Sequence, residues 1–218
     1  MKKKIGVILS GCGVRDGSEI HEAVFALLAI DRNGAEALCM APDVEFMEVN
    51  HLTMEETGAK RNALQEAARI ARGNIRDIRA VKASDLDALV LPGGFGAAKN
   101  LSDFAVKGSG GTVHPEVSRL LNEMSDAKKP VGAICIAPSV IALTLGRKLS
   151  PLLTIGNDPG TASEIEKSGA RHSNCDATGI VIDSENRIVT TPAYMLAGRI
   201  SETCDGIEKC VRALIEMA

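Results

Sequence analysis

The sequence predicts an α/β protein with a mostly parallel sheet covered by helices on both faces, and three observations carry that expectation. Residues 5–9, 88–91 and 131–134 are short runs that are apolar throughout, as strands buried on both faces must be. Between such runs stand longer segments whose apolar residues recur at helical spacing, so strand and helix alternate along the chain. The 218 residues are 45% apolar and 24% charged, which supports a sizeable core and excludes a disordered or fibrous chain. Because α/β folds commonly use about 200–250 residues as one unit, one domain over 1–218 is expected.

Taken in order, residues 5–9 form the first strand, stopped by Gly11 and Gly13. Ile20, Val24, Leu27, Leu28 and Ile30 predict a helix over 19–33, with Gly34 just past its end. A second strand is expected at 35–41, and a polar-faced helix over 57–72, carrying Leu64, Ala67, Ala68 and Ile70 before Gly73. The segment between Asp43 and Thr57 reads as irregular, free to cover a pocket or a subunit interface. Strand 88–91 is broken by Pro92-Gly93-Gly94, and helices follow near 97–106 and 115–127. Strand 131–134 passes through Cys135 into a helix over 136–145. The remainder reads as a strand at 152–155, a short helix at 161–168, a hairpin of 179–182 with 187–190, and a last helix to the C-terminus. Ligands of such folds sit at the carboxyl ends of the strands, so the search narrows to 10–22, 92–100 and 135–138.

Composition removes several function classes. With 25 Lys and Arg against 28 Asp and Glu, one Tyr and no Trp, the chain lacks the basic surface and stacking aromatics of a nucleic-acid binder. Six cysteines without a CxxC pair fit a reduced, cytoplasmic protein. The opening MKKKIGVILSGC imitates a signal peptide, but its apolar stretch is shorter than the ~7–15 residues required. The uncharged run 130–146 falls short of the ~20 residues of a spanning helix, and Pro138 interrupts it. No membrane and no nucleic-acid partner is expected.

The first glycine loop, Gly11, Gly13 and Gly17, is spaced GxGxxxG and so fails the dinucleotide fingerprint. Asp16, Glu19 and Glu22 would also compete with phosphate at the helix that follows, and no Walker A sequence exists elsewhere. Cys135, in GAICIAP, stands where a strand hands over to a helix, the position of a nucleophile elbow. There the helix dipole favours thiolate. A buried cysteine used as a small apolar residue fits the spacing equally well. The Pro92-Gly93-Gly94 turn tips the balance, since its backbone can approach a substrate oxygen while the amide of Ile136 supplies a second donor, together an oxyanion hole.

These motifs resemble a known family. LPGGFGAAKNL followed by GAICIAP is similar to the ThiJ/PfpI branch of the class I glutamine-amidotransferase-like superfamily. Within it SGCGVRDGSEIHEAV, RNALQEAARIARG and IVTTPAYMLA resemble the ElbB-type glyoxalases, also labelled isoprenoid-biosynthesis or sigma-cross-reacting proteins, and the likeness spans nearly the whole chain. The resemblance implies a flavodoxin-like domain, a pairing of Cys135 with Glu22, and dimers. Periodicity alone would leave Glu22 and Glu19 as solvated charges of a helix N-terminus. The implied activity is a cofactor-independent, glutathione-independent glyoxalase acting on a small 2-oxoaldehyde or dialdehyde such as methylglyoxal or glyoxal, with Gly93, Gly94 and Ile136 around the oxyanion. The rival reading is a cysteine-based redox sensor or a non-catalytic binding protein linked to isoprenoid synthesis.

One departure matters. Amidotransferases of the superfamily need a late histidine and PfpI-type peptidases place histidine directly after the cysteine, whereas Ile136 follows Cys135 here. Neither activity is expected. His21 points to another side of its helix than Glu22 and reads as supporting structure. Cys12 is kept as a secondary redox thiol, and His172 with Cys175 is an isolated HxxC that makes no metal site.

Overall fold

The computed structural model describes residues 2–218. Its centre is a seven-stranded sheet in the order β10-β11-β7-β6-β1-β2-β5, formed by β1 (Lys4–Ile8), β2 (Glu36–Ala41), β5 (Ile75–Asp77), β6 (Ala88–Leu91), β7 (Val131–Ile134), β10 (Val181–Asp183) and β11 (Ile188–Thr191). All pairings are parallel except β10 with β11. This is the mostly parallel, helix-covered, flavodoxin-like α/β sheet that the sequence predicts. The chain winds outward from β1 through β2 to β5, then returns to β6 on the other side of β1. That reversal opens a crevice at the carboxyl ends of β1 and β6.

Strand periodicity divides the core in two. Ile5, Val7, Leu9, Ala88 and Val90 face one layer, formed by α1 (Ile20–Arg32) and α8 (Ile200–Met217). Ile8, Leu89 and Leu91 face the other, where α5 (Pro115–Asp126), α6 (Pro138–Leu149) and α7 (Pro159–Lys167) contribute Leu120, Leu121, Val140, Ile141 and Ile165. Both layers are built of buried apolar side chains, as the uninterrupted apolar strands require. No helix of the described residues is long and apolar enough to cross a membrane.

Several expectations shift. Residues 43–57 are not irregular: β3 (Glu45–Asn50) and β4 (Glu55–Asn62) make an antiparallel hairpin outside the main sheet. The helix expected over 57–72 therefore starts only at α2 (Ala63–Ile70), where the Asn62 side chain accepts the Gln65 amide at 3.1 Å. Residues 57–62 prefer the strand because Thr57, Lys60 and Arg61 bond to Glu48 and Glu45 across the hairpin. The helix near 97–106 divides into α3 (Phe95–Lys99) and α4 (Phe104–Lys107). The helix after Cys135 starts at Pro138 rather than at Ile136, because Cys135 to Ala137 form the turn and proline is placed well in a first turn. The strand at 152–155 shortens to β8 (Leu152–Leu153), paired with β9 (Arg171–His172).

Candidate functional site

Three chain reversals meet at the carboxyl ends of β1, β6 and β7. At the end of β7, Cys135 has φ +62°, a left-handed conformation rare for a residue with a side chain. Its amide donates to Thr191 O of β11 at 2.9 Å, which anchors the strained turn to the sheet. The amides of Gly94 and Ile136 and the Glu22 carboxyl all face the thiol. Only 7% of Cys135 is exposed.

Glu22 reaches the thiol from the first turn of α1. Glu19 caps that helix, accepting the Glu22 amide at 2.7 Å, while its own amide donates to Gly93 O at 2.9 Å. The Glu22 side chain is wholly buried. Its Oε2 accepts the Gly93 amide at 3.0 Å and its Oε1 the Tyr194 amide at 3.3 Å. Glycine at position 93 is required by space, since a Cβ there would stand 2.5 Å from the Cys135 Cβ and 2.6 Å from Glu22 Oε2. Gly94 has φ +95°, and a Cβ on it would meet Glu19 N and Gly17 O at 2.4 Å. The glycine loop thus packs its backbone onto the segment after Pro92, where Gly94 and Gly96 allow the close approach to Gly17, while Gly17 itself makes room for Cys12 N and Gly11 within the loop.

Burial sets the electrostatics. It pushes the Glu22 carboxyl up to about 8, helped by the Glu19 charge and opposed by the bonds from Cys135, Tyr194 and Gly93. Burial, then the Glu22 charge, raises the Cys135 thiol well above its ordinary value, against the Gly94 and Ile136 amides. The helix-terminus argument that predicted ready ionisation of this thiol is therefore overturned: desolvation and a facing carboxylate outweigh the dipole. Thiol and carboxyl titrate as one coupled pair.

The other expected residues fall into place differently. The Gly93 amide is occupied by Glu22, leaving Gly94 and Ile136 to face the sulfur. His21 is half exposed, with Nδ1 2.8 Å from the Tyr194 hydroxyl and 3.9 Å from Glu19. Cys12 lies by Glu66 and Arg69 of α2, and its thiol is raised, mainly by burial. Asp16 turns away from the helix terminus and accepts the Val49 amide of β3 at 2.9 Å. His172 Nε2 accepts the Ile155 amide at 3.3 Å, so it belongs to the β8–β9 corner rather than to Cys135. Among the described residues no three His, Cys, Asp or Glu side chains converge to hold a metal ion.

Tyr194 is the functional neighbour that residue-by-residue reading missed. It acts on Glu22 through its backbone amide, which any residue type would supply. The only sequence signal was the IVTTPAYMLA run, after which the chain turns sharply with Ala193 at φ +45°.

No protein-family model matches the chain. It is 42% identical over 227 residues to the rat protein called ES1 protein homolog, mitochondrial, covering 99% of this chain and 84% of that one. It is 43% identical over 225 residues to a human protein called glutamine amidotransferase-like class 1 domain-containing protein 3, mitochondrial, covering 98% of this chain and 83% of that one. The crystal structure of an isoprenoid biosynthesis protein with amidotransferase-like domain from Ehrlichia chaffeensis superposes with a TM-score of 0.92 at 36% identity, over 99% of this chain and all 100% of that one. Drosophila melanogaster DJ-1beta shares the fold alone, with a TM-score of 0.58 and 19% identity over 100% of this chain and 96% of that one. The rat and human names correct the cytoplasmic location expected from the cysteines, since both relatives are called mitochondrial. Cysteine usage separates reducing from oxidising compartments and does not choose among reducing ones.

Proposed function

Because the chain belongs to the ES1-type family of glutamine amidotransferase-like class 1 domain proteins, we propose that it is a cofactor-independent glyoxalase converting glyoxal or methylglyoxal to the 2-hydroxy acid. The observation that carries this reading is the buried Glu22 carboxyl on the Cys135 thiol, with two backbone amides on the same sulfur. Glu22, as the carboxylate, takes the thiol proton, and the resulting thiolate faces the now neutral Glu22 carboxyl and the amides of Gly94 and Ile136.

The thiolate adds to the aldehyde carbon, and the carbonyl electron pair moves to oxygen beside the Gly94 and Ile136 amides. Glu22 gives that oxygen its proton, forming a hemithioacetal. The carboxylate now takes the hydrogen of the former aldehyde carbon, making an enediol, and returns it to the neighbouring carbon while the hydroxyl proton passes to the second oxygen. One carbon is oxidised and the other reduced, so no external oxidant is needed. Water, deprotonated by Glu22, then cleaves the resulting thioester and restores the thiol. A carboxyl near 8 both gives and takes protons at neutral pH, which this sequence demands.

The redox-sensor reading uses the same thiol but gives no part to the buried Glu22 carboxyl as an acid and base, which the glyoxalase reading requires. The test is hydroxy-acid formation from glyoxal and methylglyoxal, without glutathione or metal, by wild type, Cys135→Ala and Glu22→Gln. Turnover by wild type with both variants at background is expected. An inactive wild type, or a Cys135→Ala that keeps its rate, overturns the proposal.

A further inference from the structure

Near the elbow in sequence lies a cavity of about 350 Å³ whose walls include Ile136, which bears one sulfur-facing amide, and Phe95, the residue after the other. Phe95 follows Gly94, and Ile136 itself follows Cys135; Ala98, Phe104 and Ala105 continue the apolar wall. Phe95 is 43% exposed yet held in place, with Arg15 and Lys99 each 5.7 Å from its ring centre. On the far side the Glu164 carboxyl, bonded to the Ser109 amide and Lys167, is lowered to about 2 and stays ionised.

Resting on the glyoxalase reading, we infer that this cavity receives the substituent of the substrate, and that the preferred substrates are 2-oxoaldehydes carrying a neutral aryl or branched alkyl group. Its size fits the low end of the ~300–1,000 Å³ common for small-molecule sites, far more than the methyl of methylglyoxal occupies. Ile136 bears one of the two amides that face the sulfur and Phe95 follows Gly94, which bears the other, so the cavity wall continues from the backbone that would hold an acyl oxygen. Those walls gain by burying apolar surface, while the Glu164 charge disfavours an anionic substituent. Ile136, where peptidases of the superfamily carry a histidine, is thereby a specificity-determining side chain as well as an amide donor.

Two measurements test this on wild type and Ala105→Trp, a substitution at an exposed position that fills the cavity. The first is kcat/KM for phenylglyoxal relative to glyoxal. The second, which needs no turnover, is the alkylation rate of Cys135 by phenacyl bromide relative to iodoacetamide, read by peptide mass mapping and normalised to the same ratio for glutathione. Expected are at least a tenfold preference for the aryl reagent and the aryl substrate in wild type, and loss of most of both preferences in Ala105→Trp. A normalised alkylation ratio near one in wild type, or one unmoved by Ala105→Trp, overturns the inference. Aryl-selective alkylation without turnover of any aldehyde supports the cavity's role and overturns the glyoxalase reading instead.

Discussion

The glycine loop, residues 11–17, is held from two sides by different physics. On the elbow side it meets backbone, with Gly94 wedged against Gly17 O and Glu19 N, and a buried carboxyl and thiol lie just beyond. On the hairpin side one buried carboxylate, Asp16, takes the Val49 amide, while the charged pairs that flank the hairpin's backbone ladder, Lys60 with Glu45 and Arg61 with Glu48, are exposed or part-exposed. Close-packed backbone tolerates no added atom. Solvated charge pairs tolerate almost any change. The contrast says that the geometry around Cys135 is fixed by close-packed backbone, while the hairpin is tied to the loop by side chains, of which Asp16 on the Val49 amide is the most buried.

The elbow side should show the largest response. Gly94→Ala places a Cβ at 2.4 Å from two backbone atoms in a residue with φ +95°. Overpacking and left-handed strain together should cost about 3 kcal/mol or more. For a chain of this size that lowers Tm by roughly 6–12 °C, readable by circular dichroism. A Tm within about 2 °C of wild type would show that the elbow yields as easily as the hairpin and would break the comparison.

Next in size is the cost of keeping Glu22 neutral. Its folded value, about 8, lies above the 4.5 of an ordinary glutamate, so between those values the unfolded chain releases the proton first. The Glu22 contribution to stability is then whole below about pH 4.5 and falls as pH rises through about 8. Glu22→Gln has no proton to lose. Its stability relative to wild type should therefore rise by a few kcal/mol between about pH 4 and pH 9, measured by urea unfolding at each pH. Parallel pH profiles would mean that the carboxyl is ionised in the folded state and that the coupled pair does not exist as described.

The same contrast explains what the sequence made legible. Strands 88–91 and 131–134 were readable to the residue because burial on both faces leaves no polar position, and they are the observed Ala88–Leu91 and Val131–Ile134. The glycines at 93 and 94 mark a place where the backbone comes close, and a Cβ at either would clash; the strand-to-helix turn at Cys135 could be read as a turn, but spacing alone left its cysteine equally a small buried residue. Glu22 was not readable from periodicity, which gives any first-turn carboxylate to solvent; the family resemblance alone pointed inward. Strand β4, EETGAKRN, has no alternation because both its faces meet water along most of its length, so a helix seemed the better fit. The rise in the Cys135 pKa was hidden for another reason: a dipole can be read from a strand-to-helix junction, whereas depth of burial belongs to the whole fold.

The smallest effects sharpen the other half of the comparison, by separating the hairpin's two kinds of tie. Asp16→Ala leaves the Val49 amide without its acceptor, 8% exposed at that residue, and should cost about 1–3 kcal/mol. Lys60→Ala removes a pair whose side chains are 62% and 66% exposed, and should change stability by less than about 0.5 kcal/mol. Because Leu52 and Met54 at the hairpin tip are 94% and 55% exposed, limited thermolysin cleavage reports loosening there directly. Asp16→Ala should be cut at the tip several-fold faster than wild type, and Lys60→Ala at the wild-type rate. The reverse order would place the hairpin's hold in its surface charges, and Asp16 would then be a loop residue with no tethering role.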